Sequence, residues 1–316
     1  FFVYTRKSRS IESVSEKKVQ NATLNPQANK IAFVYQNNLF VKDISNNKTT
    51  QITTDGEKNK IINGASDWVY EEEFKFTQAF QWSVDGRRIA FYRFDESNVP
   101  EFTYTNYNDD LYPEYVTFKY PKAGEKNAAV SIHIYDTHSG NTIPVATQLN
   151  EDHYIPRIKW TQDPEKLCIT RLNRHQNQLE LLLAEAKTGK TSLLLKEKSK
   201  YYINIHDNLT FLKNKKQFIW TSEMDGWNHI YLYNMKGKLD KQITNGSWEV
   251  TSFYGVNEKK GLLYYQSAEN APLERQVYSV SLQGKRKQTL AGDPGWNSAQ
   301  FNNDFEYFVV THSTSN

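Results

Sequence analysis

WSVDGRRIAF, residues 82–91, sets Trp82 and Phe91 nine positions apart around a polar turn. Asp85 and Gly86 favour a tight reversal and apolar residues alternate on either side, so the segment reads as a β-hairpin. The same spacing recurs in Leu24 with Phe33, Trp160 with Ile169, Phe211 with Trp220, Val256 with Tyr265 and Phe301 with Val310. The intervening turns read NPQANK, TQDPEK, LKNKKQ, NEKKG and NNDFE. The units begin at residues 24, 82, 160, 211, 256 and 301, and the last two intervals are each 45 residues. That matches the ~40–50 residues of a four-stranded propeller blade. Third strands are expected at Asn38–Asp43, Asn228–Tyr233 and Arg275–Ser281, and fourth strands at Thr49–Thr53 and Leu239–Thr244. Four strands on short turns cannot bury both faces alone, whereas stacked blades can. The repeat predicts an all-β fold, a β-propeller with about five complete blades and a partial one at each end, in preference to a β-sandwich.

Composition supports strands and excludes several classes. The chain has 316 residues, and its 7 Trp, 20 Tyr and 17 Phe are enough for a sizeable core. This weight on aromatics favours strands. Lys plus Arg is 39 against 36 Asp plus Glu, a net charge of +3 that is too small and dispersed for a nucleic-acid surface. Mean hydropathy is −0.74, and no apolar run approaches the ~18 residues of a membrane helix. The single cysteine, Cys168, rules out a disulfide framework and a cysteine zinc site. The chain opens on FFVYT and closes on FEYFVVTHSTSN, both strand-like, and is expected to begin and end inside a larger structure.

Two long intervals hold insertions, at 61–76 (IINGASDWVYEEEFKF) and 96–127. Insertions into a regular repeat usually map to one face and carry function. In the first, Ser66 or Asp67 can cap a short helix from about Trp68 to Phe74, with carboxylates expected near its N-terminal end. Glu71, Glu72 and Glu73 sit among Trp68, Tyr70, Phe74 and Phe76. Successive helical residues point about 100° apart, so the three do not share a face. Two readings stand at this point: a solvated acidic face, or two neighbouring carboxylates converging on a small cation such as a ligand ammonium.

DWVYEEEF (Asp67–Phe74) closely resembles the signature of the propeller domain in the dipeptidyl peptidase IV family of serine peptidases. YPKAGEKN (Tyr120–Asn127), TSEMDGWNHIYLY (Thr221–Tyr233) and GSWEV (Gly246–Val250) resemble segments of bacterial members, in the same order. The resemblance covers essentially the whole chain. It implies an N-terminal eight-bladed propeller joined to a C-terminal α/β-hydrolase domain that releases dipeptides from free N-termini, preferring penultimate Pro or Ala. It further implies that Glu72 and Glu73 hold the substrate ammonium. Asp67, Trp68, Tyr70 and Glu71 would complete the motif without binding the amine.

The second insertion resembles the family's dimerisation arm. Within Pro100–Gly124 the aromatic residues are Phe102, Tyr104, Tyr107, Tyr115 and Phe118. Two strands of about ten residues would project roughly 33 Å. The bland alternative is a loop packed on its own propeller. Family analogy places such a protein in the periplasm or at the cell surface, as a homodimer.

The hydrolase chemistry is not in this chain. No G-x-S-x-G elbow occurs, since Gly64–Ser66 is followed by Asp67 and Trp68. No histidine lies in H-E-x-x-H, so no metal and no cofactor is expected. The family's substrate-contacting arginine would fall before Phe1, and two blade equivalents would be missing or truncated. Residues 1–316 are therefore expected to be a partial propeller domain, inactive alone. Its expected role is substrate gating and amine anchoring for a prolyl dipeptidyl aminopeptidase, with its own hydrolase domain and free-N-terminus peptides as partners. The alternative is the propeller of a catalytically dead member that serves as an interaction module. The W-D signature of WD40 blades is absent, and SVDGRRIAF (Ser83–Phe91) misses the sialidase box by one glycine position.

Overall fold

The computed structural model describes residues 1–108, 111–147 and 153–314. About half of them lie in β-strands, with one α-helix at Trp68–Phe74. By contact the chain divides into two compact units, Phe1–Lys196 and Glu197–Asn316.

All six predicted hairpins form, and in one register. The ladder pairs Leu24 with Ile31, Trp82 with Ile89, Trp160 with Leu167, Phe211 with Phe218, Val256 with Leu263 and Phe301 with Phe308. A residue and the one seven later are thus directly opposed. The residue nine later lies two further along the same face, which is why the nine-residue spacing is apolar at both ends. Four of the turns share a left-handed residue at their fourth intervening position: Ala28, Gly86, Lys215 and Phe305, with φ of 54°, 63°, 57° and 54°. Only one is glycine. The others tolerate a conformation that costs an L-residue roughly 1–2 kcal/mol, so the turns look unlike each other in sequence.

In the first unit, Gln20–Leu24, Lys30–Tyr35, Asn38–Asp43 and Thr49–Gln51 form a four-stranded antiparallel meander. The next sheet is built on Arg88–Asp95, with Phe80–Trp82, Ala129–Asp136 and Thr142–Pro144. Ile61–Asn63, the start of the first insertion, joins this sheet by pairing with Arg93–Asp95. His153–Trp160, Lys166–Asn173, Gln178–Glu185 and Thr191–Lys198 make a third sheet. Val34, Leu39 and Val41 of the first sheet pack against Phe80, Ile89 and Phe91 of the second. Indole donors tie successive sheets together: Trp82 Nε1 donates to the Thr23 carbonyl and Trp160 Nε1 to the Gln81 carbonyl, both at 3.1 Å. Among the described residues, Phe2–Thr5 pairs only with Ser10–Ser13.

The second unit holds two four-stranded meanders. The first comprises Thr210–Phe211, Gln217–Ser222, His229–Asn234 and Leu239–Gln242. The second comprises Val250–Asn257, Leu262–Ser267, Gln276–Ser281 and Gln288–Ala291, and a two-stranded pair, Trp296–Phe301 with Phe308–Ser313, follows. Ile219, Ile230, Leu232, Leu263, Tyr265 and Tyr278 form its core. Two of the quoted motifs meet here. The buried His229 ring bonds the Thr244 hydroxyl at 3.1 Å and the Gly246 carbonyl at 3.0 Å, with Trp248 edge-on at 4.9 Å.

Two expectations are corrected. The arm strands are six residues each, Glu101–Asn106 and Glu114–Lys119, so they span roughly 20 Å rather than 33 Å. Asp109 and Asp110, within the second insertion, lie outside the described residues. Of the three carboxylates expected near the N-terminal end of the helix, two lie instead toward its C-terminal end. Glu71 belongs to its first turn, and Glu72 and Glu73 directly precede the last residue, Phe74.

Candidate functional site

The acidic helix is seven residues long, well below the ~12–15 at which an isolated helix becomes even marginally stable. Its stability must come from what holds it. Asp67 is the N-cap, with extended backbone (φ −80°, ψ 178°) and a carboxylate accepting the Tyr70 amide at 2.9 Å. Asp67 is itself buried, and burial pushes its carboxyl up to about 6 despite that bond. Glu96, also buried, is pushed up to about 7, first by burial and then by the Asp67 charge, with Lys119 pulling the other way.

Tyr70 anchors the helix from beneath. It is 1% exposed and meets Phe94 at 4.9 Å, Phe74 at 5.0 Å, Phe76 at 5.8 Å, and Tyr92 and Tyr154 at 6.3 Å. Its hydroxyl accepts the Ile155 amide N–H at 2.9 Å. At the other end Lys75 closes the helix in the left-handed conformation (φ 59°, ψ 40°). Arg157 Nη1 donates to the Phe74 carbonyl at 2.8 Å. Val69, Tyr70 and Phe74 are the buried face, which leaves Glu71, Glu72 and Glu73 all exposed. No ion pair among the described residues involves any of the three.

Trp68 joins the helix to the second insertion, its ring 4.0 Å from that of Tyr120. Tyr120 in turn contacts Phe102 at 5.6 Å and Phe118 at 6.0 Å, and Lys122 lies over both Phe102 and Tyr120. The arm is a two-stranded ribbon with Phe102 opposite Phe118 and Tyr104 opposite Val116, so these four share a face. Tyr115 pairs with Thr105 and points to the other face. Tyr104, Tyr107 and Tyr115 are 44%, 65% and 71% exposed, while Phe118 is half-buried against Phe102 and Tyr104. The base of the arm therefore packs on the helix and its outer part presents aromatics to solvent.

The structure brings Asp67, Trp68, Tyr70 and the three glutamates together on one clamped helix. It adds residues that the pattern of residues did not single out: Ile155, Arg157, Tyr92, Phe94 and Glu96. Pro156 inside the otherwise strand-like HYIPRIKW was the available signal, because proline within a strand marks a bulge. Nothing in the sequence pointed to Arg157. Among the described residues no group of three or more His, Cys, Asp or Glu could hold a metal ion, and no helix is long and apolar enough to cross a membrane.

Repeated four-stranded antiparallel sheets define an all-β propeller, and comparison with known proteins gives the family. The family description "Dipeptidyl peptidase IV (DPP IV) N-terminal region" matches residues 1–316. The chain belongs to this family. It is 30% identical to dipeptidyl peptidase 4 of Trichophyton rubrum, an alignment covering 100% of this chain and 43% of that protein. It is 31% identical to human prolyl endopeptidase FAP over 84% of this chain and 37% of that one. The crystal structure of Porphyromonas gingivalis dipeptidyl peptidase 4 superposes with a TM-score of 0.93 at 40% identity, covering 99% of this chain and 45% of that chain. The chain thus spans less than half the length of these relatives.

Proposed function

We propose that this chain is the substrate-gating, amine-anchoring propeller region of a prolyl dipeptidyl aminopeptidase. The observation that carries the reading is a pair of adjacent, exposed carboxylates, Glu72 and Glu73, without ion-pair partners among the described residues, on a helix held at its cap, underside and end. A substrate ammonium has three donors and a full positive charge, which is what two such carboxylates lack. Once a hydrolase domain covers them, a blocked N-terminus would leave both charges desolvated and unpaired, costing several kcal/mol. The site then measures dipeptides from the free amine.

The partners follow from the same reading. A C-terminal α/β-hydrolase domain supplies the nucleophile, the exposed aromatics of Phe102, Tyr104, Tyr107 and Tyr115 meet a second copy in a homodimer, and the enzyme works in the periplasm or at the cell surface. The full-length protein tests the reading: it should cleave a Gly-Pro chromogenic amide and leave the N-acetylated twin intact. Equal cleavage of both would refute amine anchoring. Cleavage of neither would indicate a catalytically dead member.

A further inference from the structure

Two of the grips on the acidic helix come from one irregular stretch, Ile155–Arg157. The ladder between His153–Trp160 and Lys166–Asn173 shifts register between Tyr154 and Arg157. Pro156 has no N–H to give the ladder, and the Ile155 N–H turns instead to the Tyr70 hydroxyl. Arg157 is thereby placed to donate Nη1 to the Phe74 carbonyl at 2.8 Å and to the Pro156 carbonyl at 2.7 Å, with its guanidinium 5.8 Å from the Phe76 ring centroid.

The helix needs a cation at this end. Its last turn contains no basic residue, yet Glu72 and Glu73 stand there, where the negative end of the helix dipole opposes carboxylates. Lys75 follows as the cap but is exposed. The donor that reaches the helix's final carbonyl comes from Arg157, on a neighbouring sheet.

We infer that Arg157 is a positioning residue for amine recognition: it fixes the C-terminal end of the helix and offsets the negative charge there, so that Glu72 and Glu73 are aimed before substrate arrives. This rests on the reading that those glutamates bind the substrate ammonium. Loss of aim at a charged anchor costs both affinity and register, and a misplacement of about 1 Å can cost up to a hundredfold in rate.

The test uses the full-length enzyme and the Gly-Pro chromogenic amide. Arg157→Met should lower kcat/KM about tenfold or more, chiefly through KM, and Arg157→Lys should recover part of the loss. Added to a Glu72→Gln/Glu73→Gln background, Arg157→Met should cause no further loss, because it acts through those carboxylates. A purely structural role would give an additive loss. If Arg157→Met does not fold, Arg157→Gln, which keeps a donor but no charge, carries the same expectation. A change below threefold in the Arg157 variant, with a hundredfold loss in the glutamate variant, overturns the inference alone. A loss below threefold in the glutamate variant overturns both.

Discussion

The Tyr70 hydroxyl accepts the Ile155 amide N–H at 2.9 Å across 85 residues of sequence. A buried side chain of the acidic helix thus satisfies a backbone donor that a bulge has released from the neighbouring sheet, and each element completes the other. The seven-residue helix is held in place by this bond, the Asp67 cap and the Arg157 contact at its end.

The buried carboxyls make stability depend on pH. Both Asp67 and Glu96 have folded-state pKa values raised above the ordinary ones, to about 6 and about 7. The folded state therefore holds these protons more tightly than the unfolded state, and the stability they confer is full below pH 4 and lost as pH rises through 6 to 7. Glu96→Gln should remove its share, so the variant should gain on the order of 1–2 kcal/mol relative to wild type between pH 5 and 7.5. Differential scanning calorimetry across that range checks it; a difference independent of pH would count against the buried carboxyl. Subtracting variant from wild type also cancels His133, which burial shifts downward with the opposite effect on stability.

Trp82 joins one sheet to the one before it through the Thr23 carbonyl. Trp82→Phe keeps most of the apolar area but leaves that acceptor without its donor, so a loss of about 1–3 kcal/mol is expected. Chemical denaturation should show a lower midpoint with unchanged slope. No shift would mean that the bond is replaced by water without cost.

Much of the fold was legible because its signal is local and repeated. Trp82 and Phe91 share a face in every copy of their hairpin, so alternation and turn residues reveal the strands without knowledge of partners. The helix at Trp68–Phe74 was readable from its capping residue. The two strands of the arm were overestimated, because the aromatic-rich sequence continues to Tyr107, past the last paired residue, Asn106. The support of the site was not legible, because Ile155 and Arg157 act through contacts more than 80 residues away. The position of Glu72 and Glu73 within the helix follows from where Asp67 caps it, a choice between two capping residues that spacing left open.

Deletion of Glu101–Lys122 removes the ribbon and its exposed aromatics. The full-length variant should be monomeric by light scattering, where the intact protein should be a dimer. An unchanged dimer mass in the variant would show that the arm packs only on its own chain through Trp68 and Tyr120.

The central claim is that Glu72 and Glu73 read the free N-terminus. The most direct measurement is kcat/KM of full-length Glu72→Gln/Glu73→Gln on a Gly-Pro chromogenic amide. Two charge-assisted hydrogen bonds at roughly 1.5–3 kcal/mol each predict a fall of at least about a hundredfold. A fall of less than about threefold, under 1 kcal/mol, would contradict the account and leave the acidic helix as a solvated surface.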